Sequence, residues 1–242
     1  GFVRGLSGNW QSYRDGASKI SIEIKGYFSY MVESRNSFSK PYVIVVSGSV
    51  GSGKSTISSA LSKILGHAPV LIFDHYGQYI EWPQDMSQWM IDGANPNHIR
   101  VPKLKEDLLS LLNGKTITDP FNGKVITPSK YIILEEPSGR ERLEISEYID
   151  LVVYIDVPQD VCVIRLVERT LNMEVWNSNE TFESENKEDL VRQLNSIALW
   201  ITQYQQARSM YIQVSQTVLE KADIVVNGLK AVDEITTDIM SF

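Results

Sequence analysis

The stretch Gly48-Ser49-Val50-Gly51-Ser52-Gly53-Lys54-Ser55-Thr56 decides how the rest of this sequence is interpreted. Its spacing, in which a Gly-Lys-Ser run follows an earlier glycine across a short loop, is that of a loop that encloses phosphate groups. Glycines let successive backbone N–H groups turn inward around an anion, where a Cβ atom would clash. Lys54 then places an ammonium beside the outer phosphates, and the Ser55 hydroxyl is a ligand for Mg²⁺. The stretch predicts a site for a nucleoside triphosphate and Mg²⁺.

The flanking residues supply the strand and the helix between which such a loop must lie. Residues 42–46 are apolar and β-branched, as in strands that are buried on both faces. Apolar residues at helical spacing follow over 57–65, and Gly66 ends them. A glycine-rich turn without a ligand is the alternative, and the strand and helix on either side disfavour it.

Strand-like and helical patterns alternate along the remaining chain, which indicates an α/β fold. The strand-like runs lie at 70–73, 131–134, 151–155 and 224–226, and the helical ones at 104–112, 161–171, 190–204 and 235–239. We therefore expect a five-stranded, mostly parallel sheet with helices on both faces, built from residues 41–242. Residues 1–40 are expected to form an N-terminal extension, helical and packed on this domain, and the polar residues 178–187 a loop.

Composition narrows the class of protein. The chain has 242 residues with a net charge of −7, which argues against nucleic acid or an acidic membrane as its partner. No apolar run approaches the roughly 18 residues of a membrane span. Cys162 is the only cysteine, so an internal disulfide is excluded and a reducing, cytoplasmic compartment is expected. The predicted partner is a small molecule, and a homo-oligomer is left open.

Acidic residues that follow the predicted strands are the candidate catalytic groups, because ligands of parallel sheets bind beyond the carboxyl ends of the strands. Asp74 follows the second strand and can accept the proton of an acceptor hydroxyl or act on Mg²⁺ through water. Capping of the next segment is the alternative role. Glu136, or its neighbour Glu135, follows the third strand and is the expected carboxylate partner of Mg²⁺. The predicted metal set is therefore Ser55, Asp74 and Glu136.

Basic and aromatic residues complete the predicted site. Arg165 and Arg169 lie on one helical face, where two guanidinium groups can close over a triphosphate. Pairing with surface carboxylates is the alternative for both arginines. Arg140 follows a turn after the third strand and is placed near the acceptor, although a solvated position suits it equally. Tyr76 and Tyr79 are candidates for stacking on a flat or sugar-like acceptor.

With these residues in place, the order of parts resembles the uridine kinase and phosphoribulokinase family of P-loop kinases over residues 41–240. In that family an Asp-x-x-Tyr-like segment follows the phosphate loop, and Phe73-Asp74-His75-Tyr76 stands at that place. A Gly-Lys helix end there leads to a Pro-aromatic acceptor loop, which Gly114-Lys115 and Asp119-Pro120-Phe121 resemble. The resemblance implies transfer of the γ-phosphate of ATP to an acceptor hydroxyl, with Asp74 as the base and Phe121 in the acceptor loop.

The sequence departs from the family pattern in the acceptor loop and in the arginine-rich helix. No histidine occurs between Phe121 and Tyr131, and Leu166 stands where the family has a second arginine. The leading hypothesis is a small-molecule kinase with a nucleoside or related sugar-containing acceptor. The alternatives are a nucleotide-dependent switch that regulates a protein partner, and a kinase of a phosphorylated sugar or vitamin precursor, whose phosphate Arg140 would suit.

Overall fold

A computed structural model describes residues 40–171 and 187–242. The predicted N-terminal extension lies outside these residues except at Lys40, and so does almost all of the predicted loop at 178–187. Both therefore stay predictions, as does the domain boundary near residue 40.

Seven strands and seven α-helices occur within the described residues. The strands are β1 (Tyr42–Gly48), β2 (Val70–Ile72), β3 (Ile117–Thr118), β4 (Val125–Ile126), β5 (Tyr131–Glu135), β6 (Leu151–Asp156) and β7 (Ile224–Asn227). The helices are α1 (Lys54–Ile64), α2 (Met86–Ile91), α3 (Pro102–Leu112), α4 (Leu143–Ser146), α5 (Gln159–Leu171), α6 (Lys187–Glu220) and α7 (Val232–Met240). A 3-10 helix, Phe73–Tyr79, follows β2 directly.

Five strands form one parallel sheet in the order β2-β5-β1-β6-β7, which confirms the predicted fold class. The central strand, β1, pairs with β5 on one side and β6 on the other. The loop that follows β1 therefore emerges at the carboxyl edge of the sheet between two neighbouring strand ends. In the register of these strands Val46 lies opposite Glu135, and Gly48 lies opposite Ile155.

Helices cover both faces of this sheet, because alternate residues of β1 point into two separate apolar cores. Ile44 and Val46 pack with residues of α1 and α7 in one core. Val43 and Val45 pack with residues of α3 in the other core. A strand that is buried on both faces needs apolar side chains throughout, which is why its sequence shows no polar alternation.

The structure adds elements that the sequence patterns did not predict. β3 and β4 form a two-stranded antiparallel hairpin, and strands of two residues are too short to show a period. Phe73 belongs to the 3-10 helix and not to the second strand. Helix α6 is 34 residues long and continues well beyond the predicted end at residue 204. None of the described helices combines the length and apolarity that crossing a membrane would require.

Candidate active site

The phosphate loop joins β1 to α1, and its glycines have conformations and contacts that other residues would not tolerate. Gly51 and Gly53 have φ angles of +84° and +98°. A Cβ atom on Gly51 would lie 2.5 Å from the carbonyl oxygen of Cys162, on α5. At Gly48 it would lie 2.8 Å from the carbonyl oxygen of Ile155. The backbone of the loop is therefore pressed against β6 and α5, whereas Gly53 has open space before it.

The side chain of Lys54 crosses the loop and is held by backbone carbonyl groups of the same loop. Its Nζ atom donates hydrogen bonds to the carbonyl oxygens of Gly48 and Ser49, both at 3.0 Å. Burial lowers the pKa of Lys54, because desolvation disfavours the charged ammonium, and the carboxylates of Glu135 and Asp74 oppose that shift. A bound triphosphate would add compensating negative charge at this place. The ammonium is thus preorganised for an anion.

A cavity of about 310 Å³ opens in front of the loop, a volume in the range of small-molecule sites. Five loop residues line it together with Thr56. Asp74, Glu135, Arg165 and Arg169 line the same cavity, although they come from three other parts of the chain. The structure therefore brings together the phosphate loop and both predicted arginines of α5. It adds two carboxylates, that of Asp74 after β2 and that of Glu135 at the end of β5.

Glu135 is the carboxylate that meets Ser55. The Ser55 hydroxyl donates to its Oε1 atom at 2.9 Å, and no residue within 40–171 and 187–242 makes a hydrogen bond to its buried Oε2 atom. Burial raises the pKa of Glu135, while the hydrogen bond from Ser55 and the charge of Lys54 oppose the rise. A buried, unpartnered carboxylate oxygen beside a hydroxyl is a donor set that suits Mg²⁺.

The protein atoms alone do not complete a metal site. Within residues 40–171 and 187–242, no cluster of three or more His, Cys, Asp and Glu side chains is arranged to hold a metal ion. Mg²⁺ is usually held by one or two protein ligands together with water and substrate phosphates. Ser55 and Glu135 fit that mode, in which the nucleotide supplies the remaining ligands.

The two arginines differ in how they are held. Arg165 donates to the carbonyl oxygen of Ser52 at 3.3 Å and to that of Gly228 at 3.0 Å. These contacts fix its guanidinium between the phosphate loop and the chain after β7, and they replace the carboxylate pairing that was the alternative. Arg169 is one helical turn further along α5 and lines the cavity. Both can therefore face a bound triphosphate.

The hairpin of β3 and β4 contacts the 3-10 helix that carries Asp74. His75 Nδ1 lies 2.8 Å from Asp119 Oδ2, and the rings of His75 and Phe121 stack with centroids 4.8 Å apart. Burial acts to raise the pKa of Asp119, but hydrogen bonds from His75 and from the N–H groups of Phe121 and Asn122 outweigh it, so this pKa is lowered. The hairpin tip is thereby fixed against His75, the residue that follows Asp74.

No protein-family model matches the chain. It is 26% identical over 205 residues to a uridine kinase of Ligilactobacillus salivarius (strain UCC118), an alignment that covers 79% of this chain and 87% of that protein. It is 27% identical over 220 residues to a uridine kinase of Lactobacillus helveticus (strain DPC 4571), covering 84% and 95%. The chain is similar to uridine kinases over most of its length.

Two solved kinase structures align with most of the chain. A possible uridine kinase from Bacillus stearothermophilus aligns with 85% of this uridine kinase-like chain at a TM-score of 0.41 and 16% identity, over 100% of its own length. A shikimate kinase from Aquifex aeolicus aligns with 82% of the chain at a TM-score of 0.40 and 20% identity, over 94% of its own length.

Glu136 is not the magnesium ligand that the sequence predicted for this uridine kinase-like chain. It is fully buried, and its Oε2 atom accepts from Nε of Arg142 at 3.0 Å while its Oε1 atom accepts from the N–H of Ser138 at 2.9 Å. Neighbouring residues at a strand end point to opposite sides. Glu135 therefore faces the phosphate loop, and Glu136 belongs to a buried ion pair behind it.

Two of the predicted acceptor contacts are wrong. Tyr76 is 1% exposed, and its hydroxyl donates to Asp107 on α3 at 3.1 Å, so it is a core residue. Arg140 contacts Asp223 at 2.7 Å and donates to the carbonyl oxygen of Asp150 at 2.9 Å. Asp150 and Asp223 directly precede β6 and β7, so Arg140 reaches the amino edge of the sheet, opposite the phosphate loop.

The remaining acceptor candidates lie on the carboxyl side of the sheet. Phe121 is 74% exposed at the hairpin tip, stacked on His75. Tyr79 is exposed at the far end of the 3-10 helix from Asp74, and its role stays a prediction. The pairing of His75 with Asp119 was missed, because these residues are 44 positions apart and share no local pattern.

Proposed function

We propose that this protein transfers the γ-phosphate of ATP to a hydroxyl group of a small acceptor. The observation that carries the proposal is the convergence on one cavity of the phosphate loop, the Ser55–Glu135 pair, Asp74 and the two arginines of α5. These are the parts that phosphoryl transfer requires: a phosphate cradle, oxygen ligands for Mg²⁺, a base and cations for the transferred charge. The similarity to uridine kinases supports the same reaction class.

Each residue has a defined task in this reaction. The loop N–H groups and Lys54 bind the phosphates, and Ser55 with Glu135 would hold Mg²⁺, which neutralises charge on the β- and γ-phosphates when bound. Asp74 accepts the proton of the acceptor hydroxyl as its oxygen forms a bond to the γ-phosphorus. The bond from that phosphorus to the bridging oxygen breaks, and ADP leaves. Arg165 and Arg169 stabilise the charge that spreads over the transferred group.

We place the acceptor between Asp74 and the hairpin tip. The stacked rings of His75 and Phe121 offer a flat aromatic surface, and His75 follows the proposed base directly in the chain. Such a surface suits an acceptor that carries a planar ring, and a nucleoside is the first class to test. The names of the similar proteins point to the same class.

The other two hypotheses differ in their support. A phosphorylated acceptor was motivated by Arg140, whose guanidinium is instead engaged by Asp223 and Asp150. Nearby Arg142 is 2% exposed and paired with Glu136, so it is unavailable as well. The experiment below distinguishes the kinase from the nucleotide-dependent switch. A cytoplasmic location and a homo-oligomer stay predictions.

The test is release of ADP from Mg-ATP in the presence of a panel of nucleosides, sugars and vitamin precursors, with Lys54→Ala as the blank. We expect one nucleoside to stimulate ADP release in the wild type and none to do so in the blank. A flat response across the panel, with ATP still bound in a calorimetric titration, would reject the kinase reaction and favour the switch.

A further inference from the structure

The side chain of Ser49 points away from the nucleotide cavity and is tied to two helices. It is 8% exposed, and its Oγ atom accepts a hydrogen bond from Nε2 of Gln159, at the start of α5, at 2.6 Å. The same oxygen lies 3.0 Å from Oγ of Ser215 on α6. Ser49, the second residue of the phosphate loop, is therefore held by α5 and α6 on the side away from the cavity.

The backbone of Ser49 holds the functional part of the loop. Its carbonyl oxygen accepts from Nζ of Lys54 at 3.0 Å and from the N–H of Ser52 at 3.1 Å. The first bond positions the ammonium, and the second closes the turn that aims the loop N–H groups at a phosphate. A displacement of Ser49 would therefore displace the charge and the cradle together.

Helix α6 carries Ser215 and Tyr204, and aromatic stacking within the helix holds Tyr204 in place. The hydroxyl of Tyr204 donates to Oε1 of Gln159 at 3.4 Å. Its ring stacks between those of Trp200 and Tyr211, with centroid distances of 5.4 Å and 5.9 Å. The buried phenol of Tyr154, on β6, interacts with the hydroxyls of both Ser49 and Ser215. Helix α6 thus reaches the loop by two polar routes, one through Gln159 and one through Ser215.

We propose that Ser49 is a positioning residue through which helix α6 sets the shape of the phosphate loop and so its affinity for ATP. The path runs from Ser215 and Gln159 to the Ser49 hydroxyl, then through the Ser49 carbonyl to Lys54. The inference rests on the proposed function only in that the loop binds ATP, and it is independent of the acceptor.

The test is a double-mutant cycle on ATP affinity, with the Kd for Mg-ATP measured by calorimetry in Ser49→Ala, Ser215→Ala and the double variant. Loss of one buried hydrogen bond corresponds to a roughly three- to tenfold higher Kd, which we expect for Ser215→Ala. Ser49→Ala removes the contacts to Gln159, Ser215 and Tyr154 together, so its Kd should rise at least as much. In the double variant the Ser215 change should raise the Kd by a smaller factor than it does alone, because the Ser49 oxygen is already gone and only the contact with Tyr154 is left to lose.

Ser58→Ala is the matched control. Ser58 is a buried serine on α1, two residues after the end of the loop, and none of the residues that the structure describes makes a hydrogen bond to its hydroxyl. Removing that oxygen should leave the Kd for ATP within about twofold of the wild type, since no bond is lost. An equal change in Kd for Ser58→Ala and Ser49→Ala would overturn the inference, because any small perturbation near the loop would then act alike.

Thermal unfolding of each variant separates positioning from simple stability. A lower Tm with an unchanged Kd for ATP in Ser49→Ala would show a structural role only and would overturn the inference. Additive changes in Kd across the cycle would also overturn it, since the two hydroxyls would then act independently. Absence of turnover with every acceptor, combined with a coupled cycle, would reject the proposed reaction and leave the positioning role intact.

Discussion

The phosphate loop is one continuous stretch of chain, whereas the acceptor half of the cavity joins side chains from distant parts of the chain. In the first, the Lys54 ammonium donates to carbonyl groups of residues only five and six positions earlier in the chain. In the second, His75, the residue after Asp74, meets a hairpin that is anchored through Asp119. Backbone recognition of phosphate depends little on side chains, so the acceptor half is where one such kinase can differ from another.

The largest effect is expected at the junction of the two halves, at Asp74. Asp74→Asn keeps the size of the side chain but removes the proton acceptor, and a general base contributes about 10²- to 10⁴-fold to a rate. We therefore expect kcat to fall by that factor while the Kd for ATP changes little, as measured by ADP release and nucleotide titration. Asp233→Asn, an exposed carboxylate on α7, is the control. Retention of more than about a tenth of kcat would remove Asp74 from the role of base.

A second large effect distinguishes the two adjacent glutamates, because the Glu136 ion pair should affect stability and Glu135 should affect turnover. Arg142→Met leaves the buried Glu136 carboxylate without its partner, and breaking a buried pair costs about 3–5 kcal/mol in the free energy of unfolding. Glu135→Gln should instead preserve that free energy, because it removes a buried carboxylate whose pKa is raised, and should lower Mg²⁺-dependent turnover. Denaturant unfolding and ADP release measured on both variants test this. Equal losses of stability would mean that Glu135 is also structural.

The same two glutamates show why the sequence predicted one half of the site better than the other. The phosphate loop is a contiguous pattern with a strand before it and a helix after it, so its position followed directly. β5 is buried along its whole length, so no polar alternation indicates which of Glu135 and Glu136 faces the cavity. The sequence predicted Tyr76 as an acceptor contact, because nothing near it in the chain marks it as a core residue. Its buried position depends on the hydrogen bond to Asp107, 31 residues later.

A smaller effect is expected in the acceptor half alone. Phe121→Ala removes the exposed ring that stacks on His75, and an aromatic contact is worth about 0.5–1.5 kcal/mol beyond its buried area. We expect the KM for the acceptor to rise roughly three- to tenfold, with the KM for ATP unchanged. Val125→Ala, on the same hairpin and 71% exposed, is the matched control. A parallel rise in both KM values would place Phe121 outside the acceptor site.

The smallest effect concerns how the acceptor half is held together, and it depends on pH. The pKa of Asp119 lies below its ordinary value of 3.8 in the folded state, so the unfolded chain binds this proton first on acidification. The stability that ionised Asp119 contributes is therefore complete above that value and is lost as the pH falls through 3.8 and then through the folded pKa. Asp119→Asn should be less stable than the wild type at pH 7, and the difference should shrink at about pH 3. Urea unfolding of both proteins at the two pH values measures it. A difference that is the same at both pH values would mean that the hairpin is held by its backbone and by the stacked ring of Phe121, with no contribution from the charge of Asp119.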